Sequence, residues 1–312
     1  MKVCFVGIGS IAKRHIRNLS ELCKERGIQL QIDALRRSRS SSNDLPDSLK
    51  NTYTKPEELP TDYDVIFITN PTEYHADMLI ALHDHAKHFF IEKPVTSLGT
   101  LSKLDNFKFR KDSVYYVAGP LRYTNVIQYL KKEIDVSCVN AVRCISSSYL
   151  PDWRPGVDYR QTYSAHKDLG GGVDIDLIHE WDYLTYLFGM PTNVAGFSGK
   201  VSKLEIDSND YAIYIAQFAE HMVAELHLDY FGRETLRRIE IYMDEDTVVG
   251  DLVGGKVTYL KSGKVLDLSA ERDIYQKKEL AYFLDEIQKE EKTQSEIINA
   301  MRVLKLTQGI ID

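Results

Sequence analysis

Six residues near the start of the chain, Gly7-Ile8-Gly9-Ser10-Ile11-Ala12, restrict what it can fold into more than any other feature. They follow the apolar run Val3–Val6 directly and open a helix-like segment, Ser10–Arg26, so the G-x-G-x-x-A pattern stands between a strand and a helix. In that setting Gly7 permits a tight turn, Gly9 lets backbone approach a pyrophosphate, and the small Ala12 allows close helix–strand packing. The N–H groups at Ser10 and Ile11 then face the phosphate charge at the helix N-terminus. The competing reading is a glycine turn with a purely structural role.

The next hundred residues repeat the alternation. Short apolar runs at Val3–Val6, Leu30–Leu35, Val65–Thr69, Phe89–Ile91 and Val114–Val117 predict strands. Apolar positions spaced three and four apart predict helices at Ser10–Arg26, Glu73–His85 and Leu98–Arg110. Strands alternating with helices make an α/β domain, a doubly wound parallel sheet of the Rossmann type. After Pro120 the texture changes. A helix is expected at Asn125–Glu133, followed by strands at Asn140–Ser146, Tyr211–Phe218, Met222–Asp229, Arg238–Met243 and Lys256–Leu260. Helices at Arg272–Glu290 and Ser295–Gly309 close the chain, and one long loop, Leu150–Gly172, interrupts it. The expectation is a dinucleotide-binding domain over residues 1–119. A substrate-binding and oligomerisation domain, α+β with a largely antiparallel open sheet, then takes 120–312, with the last helices able to pack back on the first domain.

A net charge of −7 over 312 residues argues against a general nucleic-acid binder, which needs a concentrated basic face. No run approaches the roughly 18 apolar residues of a membrane span, and no export signal precedes the first strand pattern, so a cytoplasmic protein is expected. Cys4, Cys23, Cys138 and Cys144 lack metal-ligand spacing and are expected as reduced, mostly buried thiols, with no metal bound. The one basic cluster, Arg36, Arg37 and Arg39, sits at the end of the second strand, where NAD sites usually carry a carboxylate and NADP sites an Arg. Asp33 is the only carboxylate nearby and falls inside the strand. Arg36, Arg37 and Ser38 are therefore read as contacts to a 2'-phosphate, favouring NADP over NAD. Solvated loop charges are the alternative.

Two further motifs end strands: Thr69-Asn70-Pro71-Thr72-Glu73-Tyr74-His75 and Glu92-Lys93-Pro94. With the glycine motif, and with Gly170-Gly171-Gly172 leading to His179-Glu180, they resemble the glucose–fructose oxidoreductase and inositol dehydrogenase family, Gfo/Idh/MocA, along nearly the whole chain. The loop Tyr149–Arg160 resembles the version found in members of bacterial surface-sugar pathways. The family resemblance implies that Thr69, Asn70, Pro71, His75, Glu92 and Lys93 line the cofactor site, that Lys93 lies near the nicotinamide and the reacting hydroxyl, and that His179 shares the proton handling. Hydride loss from an alcohol also requires loss of its proton, so a base and a cation beside the forming carbonyl lower the barrier. The proline of the tripeptide biases Lys93 toward an extended backbone. The commoner family pattern places an aspartate four before the histidine, where this chain has Ile175. Asp176, three before His179, could share its helix face and is read as an orienting or substrate carboxylate, with Asp174 a weaker candidate.

The loop holding Trp153, Arg154, Tyr159, Arg160 and Tyr163 mixes aromatic faces with guanidinium groups, suited to stacking on a sugar ring and pairing with an acidic group. A loop pinned by its own aromatics, or used in subunit contact, is the alternative. Together these features predict an NAD(P)-dependent dehydrogenase or reductase acting on a sugar, sugar acid or nucleotide-linked sugar, as a homodimer or homotetramer. A non-catalytic NAD(P)-sensing regulator on the same fold is the competing class. A biliverdin-reductase-like or trans-dihydrodiol dehydrogenase is a third possibility, disfavoured by the polar loop.

Overall fold

The first apolar runs pair as a parallel sheet. In chain order its strands are β1 (Lys2–Val6), β2 (Gln31–Leu35), β3 (Leu49–Tyr53), β4 (Tyr63–Ile68), β5 (Ala86–Ile91) and β6 (Tyr115–Val117), laid out as β3-β2-β1-β4-β5-β6. Every neighbouring pair is parallel, and the order reverses between β1 and β4. The computed structural model describes residues 1–37, 46–218 and 221–311; Ser38 and Arg39 lie outside them.

Continuous apolar strands belong to a sheet covered on both faces. One cover is α1 (Ser10–Glu25), which buries Ala12, Ile16, Leu19 and Cys23 at helical spacing. With Leu19 fully buried, Leu19→Ala would cost about 2–5 kcal/mol. Beneath the helix, Phe5 stacks on Phe67 at 4.4 Å and Phe67 on Phe90 at 5.1 Å, each pair adding about 0.5–1.5 kcal/mol beyond the area it buries.

Three expectations for this half fail for local reasons. β3, Leu-Lys-Asn-Thr-Tyr, is an edge strand with no buried residue, so it carries no apolar run to betray it. The expected helix over Glu73–His85 is broken into a 3₁₀ turn at Thr72–Tyr74, α2 (His75–Ala81) and a second 3₁₀ turn at His83–His85. The expected helix over Leu98–Arg110 shrinks to α3 (Ser102–Asp105). Just before α3, the Thr100 hydroxyl lies 2.6 Å from the Thr96 hydroxyl and donates to the Ser97 carbonyl, and such bonds compete with helix formation.

After α4 (Asn125–Glu133) comes an eight-stranded sheet. Its strands are β7 (Val139–Tyr149), β8 (Asn193–Gly199), β9 (Tyr211–Phe218), β10 (Met222–Asp229), β11 (Phe231–Met243), β12 (Thr247–Asp251), β13 (Lys256–Tyr259) and β14 (Val265–Asp267), in the order β14-β13-β12-β11-β7-β10-β9-β8. All pairs are antiparallel except β7 with β10. β8, β12 and β14 were not legible in the sequence; β8 is a mostly exposed edge strand interrupted by Gly196. On β9, Ala212, Tyr214, Ala216 and Phe218 face the interior, while Ile213 and Ile215 face out with 41% and 62% exposure. The inner face is covered by α4, α5 (Val173–Asp176) and α6 (His179–Phe188).

The long stretch 150–172 is not extended loop but a run of 3₁₀ turns at Leu150–Asp152, Tyr159–Gln161, Tyr163–Ala165 and Lys167–Leu169. The closing helices are α7 (Arg272–Glu286) and α8 (Ser295–Leu306), each ending a few residues before its expected terminus. The chain divides into two compact units, Met1–Ala118 with Gln276–Met301 and Gly119–Tyr275 with Arg302–Asp312. Leu280, Phe283 and Leu284 of α7 belong to the core of the first. All four cysteines are free thiols, and only Cys138 is more than slightly exposed. Among the described residues no helix is long and apolar enough to cross a membrane.

Candidate functional site

In the first unit, functional side chains gather where β1, β4 and β5 end, at the point of strand-order reversal where doubly wound sheets bind ligands. Gly7 adopts φ +83°, and a Cβ there would meet the Asn70 backbone at 3.0 Å, so any side chain would be both strained and crowded. Around Gly9 a Cβ would meet nothing within 4 Å, which leaves that side of the turn open to an approaching group. No side chain caps α1, so the N–H groups of its first turn remain available to an anion. This arrangement fits a pyrophosphate.

In the middle of β2, Asp33 is fully buried and accepts hydrogen bonds from Tyr63 Oη and Asn51 Nδ2, both at 2.9 Å. It offers nothing to a ribose. Arg36 is half-buried, and its Nη1 is sealed from solvent with no hydrogen-bond partner among the described residues. Arg37 is exposed and lies over the Tyr74 ring at 4.7 Å.

Two residues expected to contact a cofactor are occupied in holding the backbone. Thr69 is buried, its hydroxyl donating to the carbonyls of Val6 (3.0 Å) and Gly7 (2.9 Å), so it ties the end of β4 to the glycine turn. His75 is 1% exposed, with Nδ1 3.0 Å from the Pro94 carbonyl and Nε2 2.8 Å from the Asn70 carbonyl. Asn70 next to it keeps a buried Oδ1 with no partner among the described residues, a ready acceptor. Pro71 starts the 3₁₀ turn that leads to His75.

Glu92 follows β5 and meets His15 of α1, Nε2 to Oε1 at 2.5 Å. Burial disfavours its charge, but the His15 hydrogen bond and the charges of His15 and Lys93 outweigh that, holding the carboxyl below the usual range. His15 Nδ1 has no partner among the described residues, so Nε2 is the ring nitrogen that faces Glu92. His15 closes the stretch Gly7–His15 that carries the family resemblance, but no site role was expected for it, because its partner Glu92 lies 77 residues away. Half-buried Lys93 is thus bracketed by an anchored glutamate and a buried proline, and the Lys93–Pro94 peptide is cis.

The second unit builds its cluster from side chains. Asp176 is buried and accepts from Tyr163 Oη and Tyr230 Oη, both at 2.6 Å. Burial and the Asp176 charge raise the hydroxyl pKa of both tyrosines well above the ordinary tyrosine range, so each acts as a donor. Asp176 is therefore an acceptor fixed between two phenols, poorly placed to act as a base. Tyr230 was missed in the sequence because it lies 54 residues away, at the β10–β11 turn. Its ring meets Trp153 edge-on at 5.2 Å, and Trp153 Nε1 donates to Ser148.

Asp176 and His179 do not share a continuous helix. α5 ends at Asp176 and α6 begins at His179, with Leu177 and Ile178 between them. Half-buried His179 opens α6, which is held at two further points. Fully buried Glu180 pairs with Arg237 at 2.7 Å, and Asp182 takes both arms of Arg122 at 2.9 and 2.5 Å. Burial raises the pKa of Asp174, which accepts from Asn209 at 3.4 Å. The glycine triplet has a steric cause: a Cβ on Gly171 would sit 2.1 Å from the Tyr163 carbonyl.

In the neighbouring run of turns, Arg154 lies over the Tyr163 ring at 5.7 Å. Arg160, expected to bind substrate, is instead engaged by Asp158 (2.9 Å) and Glu205 (2.8 Å). Tyr159 accepts from the Glu205 N–H at 3.2 Å, so it too braces this segment.

Residues 1–118 match the model of an oxidoreductase family with an NAD-binding Rossmann fold, and 127–249 match the C-terminal domain of the same family. The chain is similar to the myo-inositol 2-dehydrogenase of Thermotoga maritima, 22% identical over 193 residues, which is 61% of this chain and 55% of that protein. It is 30% identical over 132 residues to the levoglucosan dehydrogenase of Pseudarthrobacter phenanthrenivorans, covering 41% of this chain and 34% of that protein. These alignments span about half or less of the relatives' lengths. A levoglucosan dehydrogenase solved with NADH and levoglucosan superposes with a TM-score of 0.85 over 99% of this chain and 96% of that one, at 17% identity, a likeness of fold. With both domain models matching around the glycine turn, the Glu-Lys-Pro tripeptide and the Asp176–His179 segment, the chain belongs to the Gfo/Idh/MocA family of oxidoreductases.

Proposed function

We propose that the protein is a dehydrogenase or reductase that uses NADP(H) in preference to NAD(H), acting on a secondary hydroxyl or keto group of a sugar, sugar acid or nucleotide-linked sugar. The observation that carries the reading is Lys93, placed at the carboxyl end of β5 beside the strand-order switch and next to a glutamate held below its usual pKa. A bound nicotinamide supplies the hydride acceptor or donor. The chain's own residues do the rest. The first turn of α1 binds the pyrophosphate, Asn70 Oδ1 offers an acceptor, and Lys93 stabilises charge at the reacting oxygen and moves its proton. His179 is assigned to the same proton handling and Asp176 to orientation. Arg154 and the aromatic faces of Trp153 and Tyr163 are assigned to an acidic sugar; Arg160, already paired with Asp158 and Glu205, is withdrawn from that role.

The preference for NADP(H) is supported by the occupied Asp33 carboxylate and by Arg36 Nη1, which has no partner among the described residues. The outer face of the eight-stranded sheet, where Phe197, Ile213, Ile215 and Val223 are exposed beside Arg143, Glu225 and His227, is assigned to a second copy of the chain. Native mass spectrometry should then show a dimer or tetramer that Ile215→Glu dissociates.

The test of the activity is to incubate the protein with NADP⁺ or NAD⁺ and a panel of polyols, sugar acids and nucleotide-linked sugars, following reduced nicotinamide. Turnover of an acidic or nucleotide-linked sugar is expected. Tight cofactor binding with no reduction across the panel would move the protein to the sensing class.

A further inference from the structure

We propose that His75 is a positioning residue, a single ring that braces the Asn70 loop against the Lys93–Pro94 turn and whose proton selects which of the two is held. A neutral imidazole has one N–H, yet both ring nitrogens of His75 lie at hydrogen-bond distance from backbone carbonyls, Nδ1 from Pro94 and Nε2 from Asn70. Neither carbonyl can donate. The neutral ring therefore serves one of them and presents a lone pair to the other, whereas the imidazolium serves both. His15, the other buried histidine here, has no such choice, because among the described residues only its Nε2 has an acceptor.

The surroundings favour the neutral ring. Burial pushes the His75 pKa down, the backbone of Asn70, Pro94 and Val95 and the Glu92 charge push it up, and the net direction is down. Around it stand Glu92 at the end of β5 with its partner His15 on α1, Lys93 beside Glu92, and on α2 itself Asp77, which pairs with Lys103 of α3. At neutral pH the ring carries one proton. On Nδ1 it holds the turn that carries Lys93; on Nε2 it holds the loop that carries Asn70, whose Oδ1 has no partner among the described residues. The two loops are in this way linked through one side chain 1% exposed to solvent.

The role at Lys93 rests on the dehydrogenase reading above; the role at Asn70 needs only dinucleotide binding. Two isosteres separate the directions. His75→Asn keeps a donor near Nδ1, toward Pro94, and His75→Gln keeps one near Nε2, toward Asn70. NADPH titration of the full-length protein by fluorescence should show His75→Asn weakened about tenfold, the size of one lost buried hydrogen bond, and His75→Gln within about twofold of the unmodified protein. On any sugar that turns over, kcat should fall in the opposite order, lower for His75→Gln. Equal NADPH affinities for the two variants, at whatever level, overturn the proposal. If no sugar turns over, the dehydrogenase reading fails and the NADPH ranking still decides the brace. Should either variant misfold, ring-¹⁵N spectra of the unmodified protein decide instead. The expected result is a His75 signal with one protonated nitrogen at pH 7 and two as the pH falls through its lowered pKa. A proton fixed on one nitrogen at every pH at which the protein stays folded, with and without NADPH, overturns the idea.

Discussion

The two units assemble their functional groups by different means. In the first, the site is largely backbone: the glycine turn, the first turn of α1 and the carbonyls of Asn70 and Pro94, with Thr69 and His75 acting as struts beneath them. In the second, the cluster is made of side chains, a carboxylate held by two phenols and a helix pinned by two ion pairs. A backbone site depends on a few glycines and strand ends in sequence order. A side-chain site depends on who meets whom across the fold. The first kind tolerates many substitutions around a short motif, while the second can be retuned one residue at a time.

Lys93 is the exception within the backbone-built unit, and its removal should have the largest effect. Lys93→Met keeps much of the aliphatic stem and loses the ammonium. kcat is expected to fall about 100-fold or more while NADPH affinity stays within a few-fold, measured by steady-state kinetics beside fluorescence titration. Because His179 belongs to the other unit, the double variant Lys93→Met with His179→Asn tests whether the two act as one. Losses smaller than the product of the single effects would say so. Near-normal turnover by Lys93→Met would leave the first unit as a binding platform only.

Tyr230→Phe sharpens the contrast from the other side. It takes one of two donors from a buried carboxylate, and urea denaturation should show about 2 kcal/mol of lost stability. Tyr163→Phe removes the other donor, at 2.6 Å, and should cost about as much. A Tyr230→Phe protein as stable as the unmodified one would mean Asp176 does not depend on its phenols.

Arg36→Asp comes next in size. Exchanging a half-buried guanidinium for a carboxylate should weaken NADPH binding about tenfold or more and NADH binding far less. If the unmodified protein binds NADH the more tightly, the assignment of Arg36 to a 2'-phosphate is wrong.

The smallest expected effect concerns pH and the core of the first unit. Burial and the nearby charges of Lys292, Lys87 and Arg110 lower His88 to about 4, and its Nδ1 accepts from the Val114 N–H at 3.1 Å. The native state therefore favours the neutral ring, with a folded pKa below the unfolded value of about 6.5. That stability is present above pH 6.5 and is lost as the pH falls toward 4. Denaturant midpoints compared at pH 7.5 and 5 should differ by about 1 kcal/mol more in the unmodified protein than in His88→Leu. A pH dependence unchanged by the substitution would rule His88 out as its source.

What the sequence determined by itself is what lies close along the chain. The strand–glycine–helix start, the Glu-Lys-Pro turn and the change to an antiparallel second sheet could be read because each is set by neighbouring residues and their periodicity. Edge strands β3, β8 and β14 escaped because they bury little and so show no apolar run. The helix over Leu98–Arg110 was overread because local hydroxyl bonds outcompete its propensity. Only the tertiary structure decided the pairings: Glu92 with His15, Asp176 with Tyr163 and Tyr230, Arg160 with Glu205, and Thr69 and His75 as backbone struts. The most distant of these, Arg160 with Glu205, Asp176 with Tyr230, Thr69 with Val6 and Glu92 with His15, join residues 45 to 77 positions apart and leave no periodic trace in either segment. Their geometry comes into being when the segments that carry the two ends are packed together, and the role of each side chain comes with it.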